Sequence, residues 1–164
     1  MPPKLIVFDL DYTLWPFYVD THVTPPFKKA SNGDIMDTCG RRISVYPDVP
    51  EMLERLSREH YTLGIASRTE EPDAARELLG LLDWNKYFTY QEIYPACKVR
   101  HFNKFASKTG IPYRDMLFFD DEYRNIRDVS KLGVTCIHAQ HGMSNQILEE
   151  GLRKFEDFLI SPGL

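Results

Sequence analysis

The stretch Lys4-Leu5-Ile6-Val7-Phe8-Asp9-Leu10-Asp11-Tyr12-Thr13-Leu14 constrains this chain more than any other part of it. The apolar run Leu5 to Phe8 reads as a strand buried on both faces, the kind found in parallel sheets covered by helices. It stops at two carboxylates one residue apart, followed by the hydroxyl of Thr13. An unpaired buried carboxylate is costly, so packing alone gives no reason to place acids at the mouth of such a strand. In an open α/β sheet, however, the carboxyl ends of the strands are where ligands bind. Strand alternation sends Asp9 and Asp11 to the same side, with the backbone between them available as a further oxygen donor. That arrangement suits a hard cation together with a phosphate.

The rest of the chain alternates in the same manner. Residues 15–26 are irregular and rich in aromatics and proline, and the Cys39-Gly40 turn flanked by Ile35 and Ile43 predicts a hairpin over 35–46. Asp48, Pro50 and Glu51 open a helix whose apolar stripe, Met52, Leu53 and Leu56, runs to about residue 59. Strands are predicted over 61–66, within 88–94, and over 116–119 and 134–138. Helices are predicted over 70–82 with Thr69 as N-cap, 99–108 closed by Gly110, 123–131 closed by Gly133, and 144–159. Strands alternating with helices imply right-handed crossovers and a mostly parallel sheet between two helical layers. The expected class is α/β and Rossmann-like, one domain over 1–164. Residues 15–47 leave room for a loop and a flap-like hairpin, not for a full cap domain.

Composition sets outer bounds. The net charge of −4 argues against broad nucleic-acid binding. No segment approaches membrane-spanning length, and the N-terminal apolar run is too short for a signal peptide and is broken by Asp9. Cys39, Cys97 and Cys136 have neither zinc spacing nor an even count, which fits free thiols in a reducing compartment. The expectation is a monomer in the cytoplasm or nucleus, without nucleic-acid or membrane partners.

Three buried runs share one property: each stops at a polar residue. They end at Asp9 and Asp11, at Ser67, and at Asp120 and Asp121. In a parallel sheet those ends lie on one edge, so residues far apart in sequence converge, and Lys98, just before a helix, is a candidate fourth member. Two carboxylates and a backbone carbonyl can hold Mg²⁺, with waters completing the octahedron. The metal and Lys98 offset charge on phosphoryl oxygens, and Ser67 donates a neutral hydrogen bond. With the charge repulsion removed, Asp9 can attack phosphorus and form an aspartyl-phosphate. Asp11 can protonate the leaving oxygen and then deprotonate the attacking water.

Asp9-Leu10-Asp11-Tyr12-Thr13 resembles the D-x-D-x-T motif of the haloacid dehalogenase (HAD) superfamily of phosphohydrolases, and Ser67, Lys98 and Asp120-Asp121 follow in that superfamily's order. The runs through Trp15-Pro16, Ala66-Ser67-Arg68-Thr69 and Phe118-Phe119-Asp120-Asp121-Glu122 are similar, more specifically, to the eukaryotic magnesium-dependent phosphatases. The resemblance implies Asp9 as nucleophile and Asp11 as acid and base. It implies Mg²⁺ on Asp9, the Asp11 carbonyl and Asp121, and phosphate on Leu10, Ser67, Arg68 and Lys98. It also implies a HAD core without a full cap, and phosphorylated substrates: protein phosphotyrosine or sugar phosphates on glycated amines.

Around this core the residues leave choices. Arg68 either offers its backbone N–H to phosphate or points to solvent. Asn125 either orients the metal site or lies on the surface, and Asp120 holds a metal water or Lys98. Trp15 and Phe17 cover the sheet edge, whereas the hydroxyl of Tyr18 suits an exposed substrate contact. His101 is read as structural. A receiver-type switch domain, holding a phosphoryl group without turnover, is the alternative. Its acceptor sits on a middle strand, though, whereas here Asp9 opens the chain.

Overall fold

The computed structural model describes residues 1–160, with side chains through residue 158. Five parallel strands, β1 (Leu5–Phe8), β4 (Leu63–Ser67), β5 (Phe88–Ile93), β6 (Met116–Asp120) and β7 (Thr135–His138), form one sheet in the order β5-β4-β1-β6-β7. The expected Rossmann-like α/β class is the observed one. Alternation divides the core in two. Ile6 and Phe8 of β1, with Leu63, Ile65, Leu117 and Phe119, face α1 (Val49–Arg58), α2 (Pro72–Leu81) and α5 (Asn145–Ile160). Leu5, Val7, Met116 and Phe118 face α3 (Lys98–Thr109) and α4 (Tyr123–Ser130).

The connections make a topological switch. From β1 the chain steps through α1 and α2 to β4 and β5; it then crosses by α3 to β6, on the other side of β1, and continues through α4 to β7. The two series diverge between β1 and β6, where such sheets open a crevice at their carboxyl ends. The register Phe8↔Phe119 brings Asp9 level with Asp120 at that edge. Parity does the rest. Asp9 continues the Leu5 and Val7 side, and Asp120 the Met116 and Phe118 side, so both acids face the helix layer that begins with Lys98.

Several local expectations are corrected. The segment 15–47 holds a two-stranded antiparallel pair, β2 (Lys28–Lys29) with β3 (Ile35–Met36), around Gly33. The expected turn at Cys39-Gly40 is present but supports a single bridge, Met36 to Arg42. Asp37 is the reason: its carboxylate accepts N–H groups of Thr24, Cys39 and Arg41, which curls the chain instead of extending a ladder. Helix α2 begins at Pro72, later than predicted, because Thr69 Oγ1 accepts the N–H of Glu71 in a turn and does not cap the helix. Asp48 does stand at the N-cap of α1, as predicted, but its side chain makes no cap bond there; its Oδ2 accepts the N–H of Asn145 at 2.9 Å and ties the start of α5 to the start of α1. Strand β1 ends at Phe8, so Asp9 and Asp11 do not continue one extended strand. Tyr12 takes a left-handed turn, φ +58°, and Asp11 swings toward the insertion.

Helix α5 depends on a missing side chain. A Cβ on Gly151 would lie 2.4 Å from Cζ of Phe119, a ring buried and stacked on Phe8 at 5.3 Å. Alanine is favoured over glycine in helices by about 1 kcal/mol, but overpacking a closed core costs roughly 1–3 kcal/mol. Gly151→Ala is therefore expected to lower the urea unfolding midpoint; a raised midpoint would show that Phe119 can give way.

Candidate active site

Lys98 is the centre of the site. Its ammonium, fully buried, donates to Asp9 Oδ1 at 3.0 Å and to Asp120 Oδ2 at 2.7 Å, beneath the Phe118 ring. Burial pulls its pKa down, and the charges and hydrogen bonds of Asp120 and Asp9 more than reverse this, holding it above the usual lysine range. The other oxygens of these two acids are also engaged. Thr13 Oγ1 lies 2.9 Å from Asp9 Oδ2 and accepts the N–H of Asp121. Asp120 Oδ1 accepts the N–H of Glu122, and its Oδ2 also accepts from Asn125 Nδ2. Of the two possibilities for Asp120, the structure shows the contact with Lys98.

Asp9, Asp120 and Asp121 each bring one carboxylate oxygen to within 4.8 Å of the others. Asp120 is committed to Lys98, Asn125 and a backbone N–H, which leaves Asp9 and Asp121 as the freer oxygens. All-oxygen donors of this kind fit Mg²⁺. Electrostatics point the same way. Burial first, and then Asp120, Asp121 and Asp11, push Asp9 well above the ordinary carboxylate range against the pull of Lys98. Burial, with Asp120 and Glu122, lifts Asp121 from 3.8 to about 6. The cluster thus carries unrelieved repulsion that a cation removes.

Asp11 stands apart. Its Oδ1 accepts from Trp15 Nε1 at 2.8 Å and from the N–H of Val19 at 3.0 Å, and burial lifts its pKa from 3.8 to about 6. The carboxylate is thereby aimed by the insertion. Trp15 is more than the hydrophobic cover expected of it: stacked on Phe17 and Trp84, it holds its N–H on Asp11. A cleft of about 260 Å³ opens above, lined by Asp9, Asp11, Tyr18, Arg68 and Lys98 of the predicted residues, with Asn125 and Arg124 beside them. Ser67 is buried at the end of β4, its Oγ accepting the N–H of Thr69. Leu10 is fully buried, its side chain in the core beneath the cleft residues.

The Arg68 side chain does not point free to solvent but donates to Asn125 Oδ1 at 3.0 Å. Asn125, buried, links Arg68 to Asp120 and so belongs to the site. Its spacing of one helical turn beyond Asp121 was the available signal, and that spacing alone does not exclude a surface position. The Thr13 hydroxyl connects the first and last motifs, a link that only the β1–β6 pairing reveals.

The acid phosphatase family model matches residues 1–158. The chain belongs to that family. It is 57% identical over 153 residues to magnesium-dependent phosphatase 1 of Homo sapiens, covering 93% of this chain and 87% of that protein. A HAD-like hydrolase superfamily protein of Schizosaccharomyces pombe is 45% identical over 157 residues, 89% of this chain and 91% of the relative. Among solved structures, a D,D-heptose 1,7-bisphosphate phosphatase from B. bronchiseptica complexed with magnesium and phosphate superposes with a TM-score of 0.60 at 14% identity, covering 90% of this chain and 87% of that one. β-Phosphoglucomutase from Clostridium difficile gives 0.66 at 10% identity, covering 97% and 100%. These two share the fold.

The raised carboxylates carry a signed prediction. A folded-state pKa above the unfolded one means the native state binds the proton more tightly. For Asp11 and Asp121 the metal-free protein is therefore destabilised as pH rises from about 4 through about 6, and their penalty is complete above that window. Asp121→Asn removes one such charge while keeping an acceptor for Thr13. In chelator, the variant should melt above the wild type near pH 7.5, with the gap closing towards pH 4.5. Differential scanning calorimetry reads this; a variant that melts lower at both pH values would contradict the repulsion.

Proposed function

We propose that this phosphatase hydrolyses phosphate monoesters in two steps, through an aspartyl-phosphate on Asp9, with Mg²⁺ as cofactor. The observation that carries the reading is the buried Lys98, held between Asp9 and Asp120 and lining the cleft. Asp9 and Asp121 would hold the metal by their carboxylates and Asp11 by its carbonyl. Mg²⁺, when bound, supplies positive charge that offsets the phosphoryl oxygens.

The residues of the chain divide the work. Lys98 fixes the rotamer of Asp9 and, together with the charge that Mg²⁺ would supply, favours its anionic form as the nucleophile. Backbone N–H groups of Leu10 and Arg68 and the hydroxyl of Ser67 bind the phosphoryl oxygens. Asp11, aimed by Trp15 and Val19, gives its proton to the leaving oxygen and takes one from the water that cleaves the acyl phosphate. The Arg68–Asn125–Asp120 chain keeps Lys98 in register.

The substrate follows from the cleft's cover. The hairpin lies on α2, where Lys29 Nζ bonds the carbonyl of Leu81 and Phe27 packs in the core, and of the insertion only Tyr18 and Asp20 line the cleft. An open mouth admits bulky esters, either phosphotyrosine on a protein or sugar phosphates on glycated amines. Tyr18, 40% exposed, is the leaving-group contact. Comparing kcat/KM for phosphotyrosine peptides and fructosamine phosphates separates the two.

Asp9→Asn should abolish Mg²⁺-dependent hydrolysis of p-nitrophenyl phosphate, and undiminished turnover would sink the assignment. Asp11→Asn should lower kcat by about 10²–10⁴-fold. It should retain a burst of p-nitrophenol, a leaving group that needs no proton, and show none with an alkyl phosphate. Equal bursts with both esters would remove Asp11 from the acid role.

A further inference from the structure

His101 lies one turn beyond Lys98 on α3 and is fully buried, yet it touches neither the cleft nor a charged partner. Its ring stacks flat on Tyr94, with centroids 4.4 Å apart. All of its polar neighbours are backbone carbonyls: Ser67 O at 2.9 Å and Tyr94 O at 3.1 Å from Nε2, and Cys97 O at 3.1 Å from Nδ1. These carbonyls belong to three different pieces of the site: the last residue of β4, the exit of β5, and the residue preceding Lys98.

A neutral imidazole carries one N–H. Two carbonyls converge on Nε2 and one lies at Nδ1, so the Nε2–H tautomer satisfies the larger number. The carbonyl of Cys97 already accepts the N–H of Arg100. Protonation at both nitrogens is opposed by burial and by the Lys98 ammonium, which hold His101 below the ordinary histidine range. The Ser67 carbonyl also accepts the N–H of Tyr94 at 3.1 Å, so the imidazole adds the clamp from α3 to the last rung of the β4–β5 ladder. Immediately after that rung comes Arg68, and the Thr69 N–H turns back onto Ser67 Oγ at 3.3 Å.

We propose that His101 is a positioning residue for phosphate: its Nε2–H, shared between the carbonyls of Ser67 and Tyr94, sets the Ser67–Arg68 turn at a fixed distance from Lys98. The role rests on the reading of Ser67, Arg68 and Lys98 as the phosphate-binding groups. Loss of the clamp leaves the chemistry of Asp9 and Asp11 in place and loosens the cradle, so the damage falls on phosphate affinity before it falls on kcat.

The test uses the Mg²⁺-loaded protein with inorganic phosphate as competitive inhibitor of p-nitrophenyl phosphate hydrolysis. His101→Phe keeps the ring stack on Tyr94 and removes the donor. His101→Gln places an amide N–H where Nε2 stood, and His101→Asn places one where Nδ1 stood. His101→Phe and His101→Asn should raise Ki for phosphate and KM about tenfold with kcat changed far less, whereas His101→Gln should stay within about threefold of wild type. Nitrogen-15 NMR of the wild-type imidazole should place the proton on Nε2, a readout independent of turnover and of whether His101→Phe folds. A folded His101→Phe with wild-type Ki, equal losses in the Gln and Asn variants, or a proton on Nδ1 would each overturn the proposal. Wild-type protein that hydrolyses the ester but is not inhibited by phosphate would overturn instead the phosphate-binding role of the cradle, and this role of His101 with it.

Discussion

A lysine ammonium with no solvent access is tolerable only where anions surround it, and Lys98 meets this condition with Asp9 and Asp120. The ion pairs constrain everything near them. They require β1 and β6 to be neighbours in a register that levels Asp9 with Asp120, and they require α3 to begin directly over that edge. They also leave the cluster with more negative charge than one ammonium can offset, since Asp121 and Asp11 stand close by with raised pKa values of about 6. A site that is stable without being neutral is prepared for a further cation. Mg²⁺ in the proposed mechanism completes a balance that Lys98 begins.

The insertion between β1 and α1 is small but does two things at once. Its aromatic start, Trp15 and Phe17, packs into the core and orients Asp11; its hairpin is fastened to α2 and stays off the cleft. In the proposed mechanism, proton transfer and substrate access are thus set by the same short segment. Asp37, whose carboxylate gathers N–H groups from Thr24, Cys39 and Arg41, gives the segment a shape of its own without a domain's worth of core.

Much of this was legible in the sequence, for physical reasons. Strands buried on both faces have to be apolar throughout, so Leu5 to Phe8 and Met116 to Phe119 stood out, and the acids at their ends were conspicuous because burial makes such residues expensive. The helix closed by Gly110 was legible because a left-handed C-cap, φ +72°, favours glycine. What could not be read were contacts that depend on two elements meeting. Asp48 starts its own helix as read, but its carboxylate serves the N–H of Asn145 at the start of α5. Arg68 and Asn125 were each ambiguous alone and find one another only across the cleft. His101 has the pattern of a core residue, and its three carbonyl partners come from segments whose proximity only the sheet order supplies.

In the proposed mechanism, convergence at the β1–β6 edge makes Asp9, among four neighbouring acids, the group that attacks phosphorus. Acid quenching during steady-state turnover, followed by borohydride reduction and peptide mass spectrometry, reads this directly, because reduction converts an aspartyl-phosphate into homoserine. Homoserine is expected at position 9 alone, dependent on both Mg²⁺ and substrate. Homoserine at position 11, 120 or 121, or none despite phosphate release under conditions where hydrolysis of the intermediate limits turnover, would contradict it.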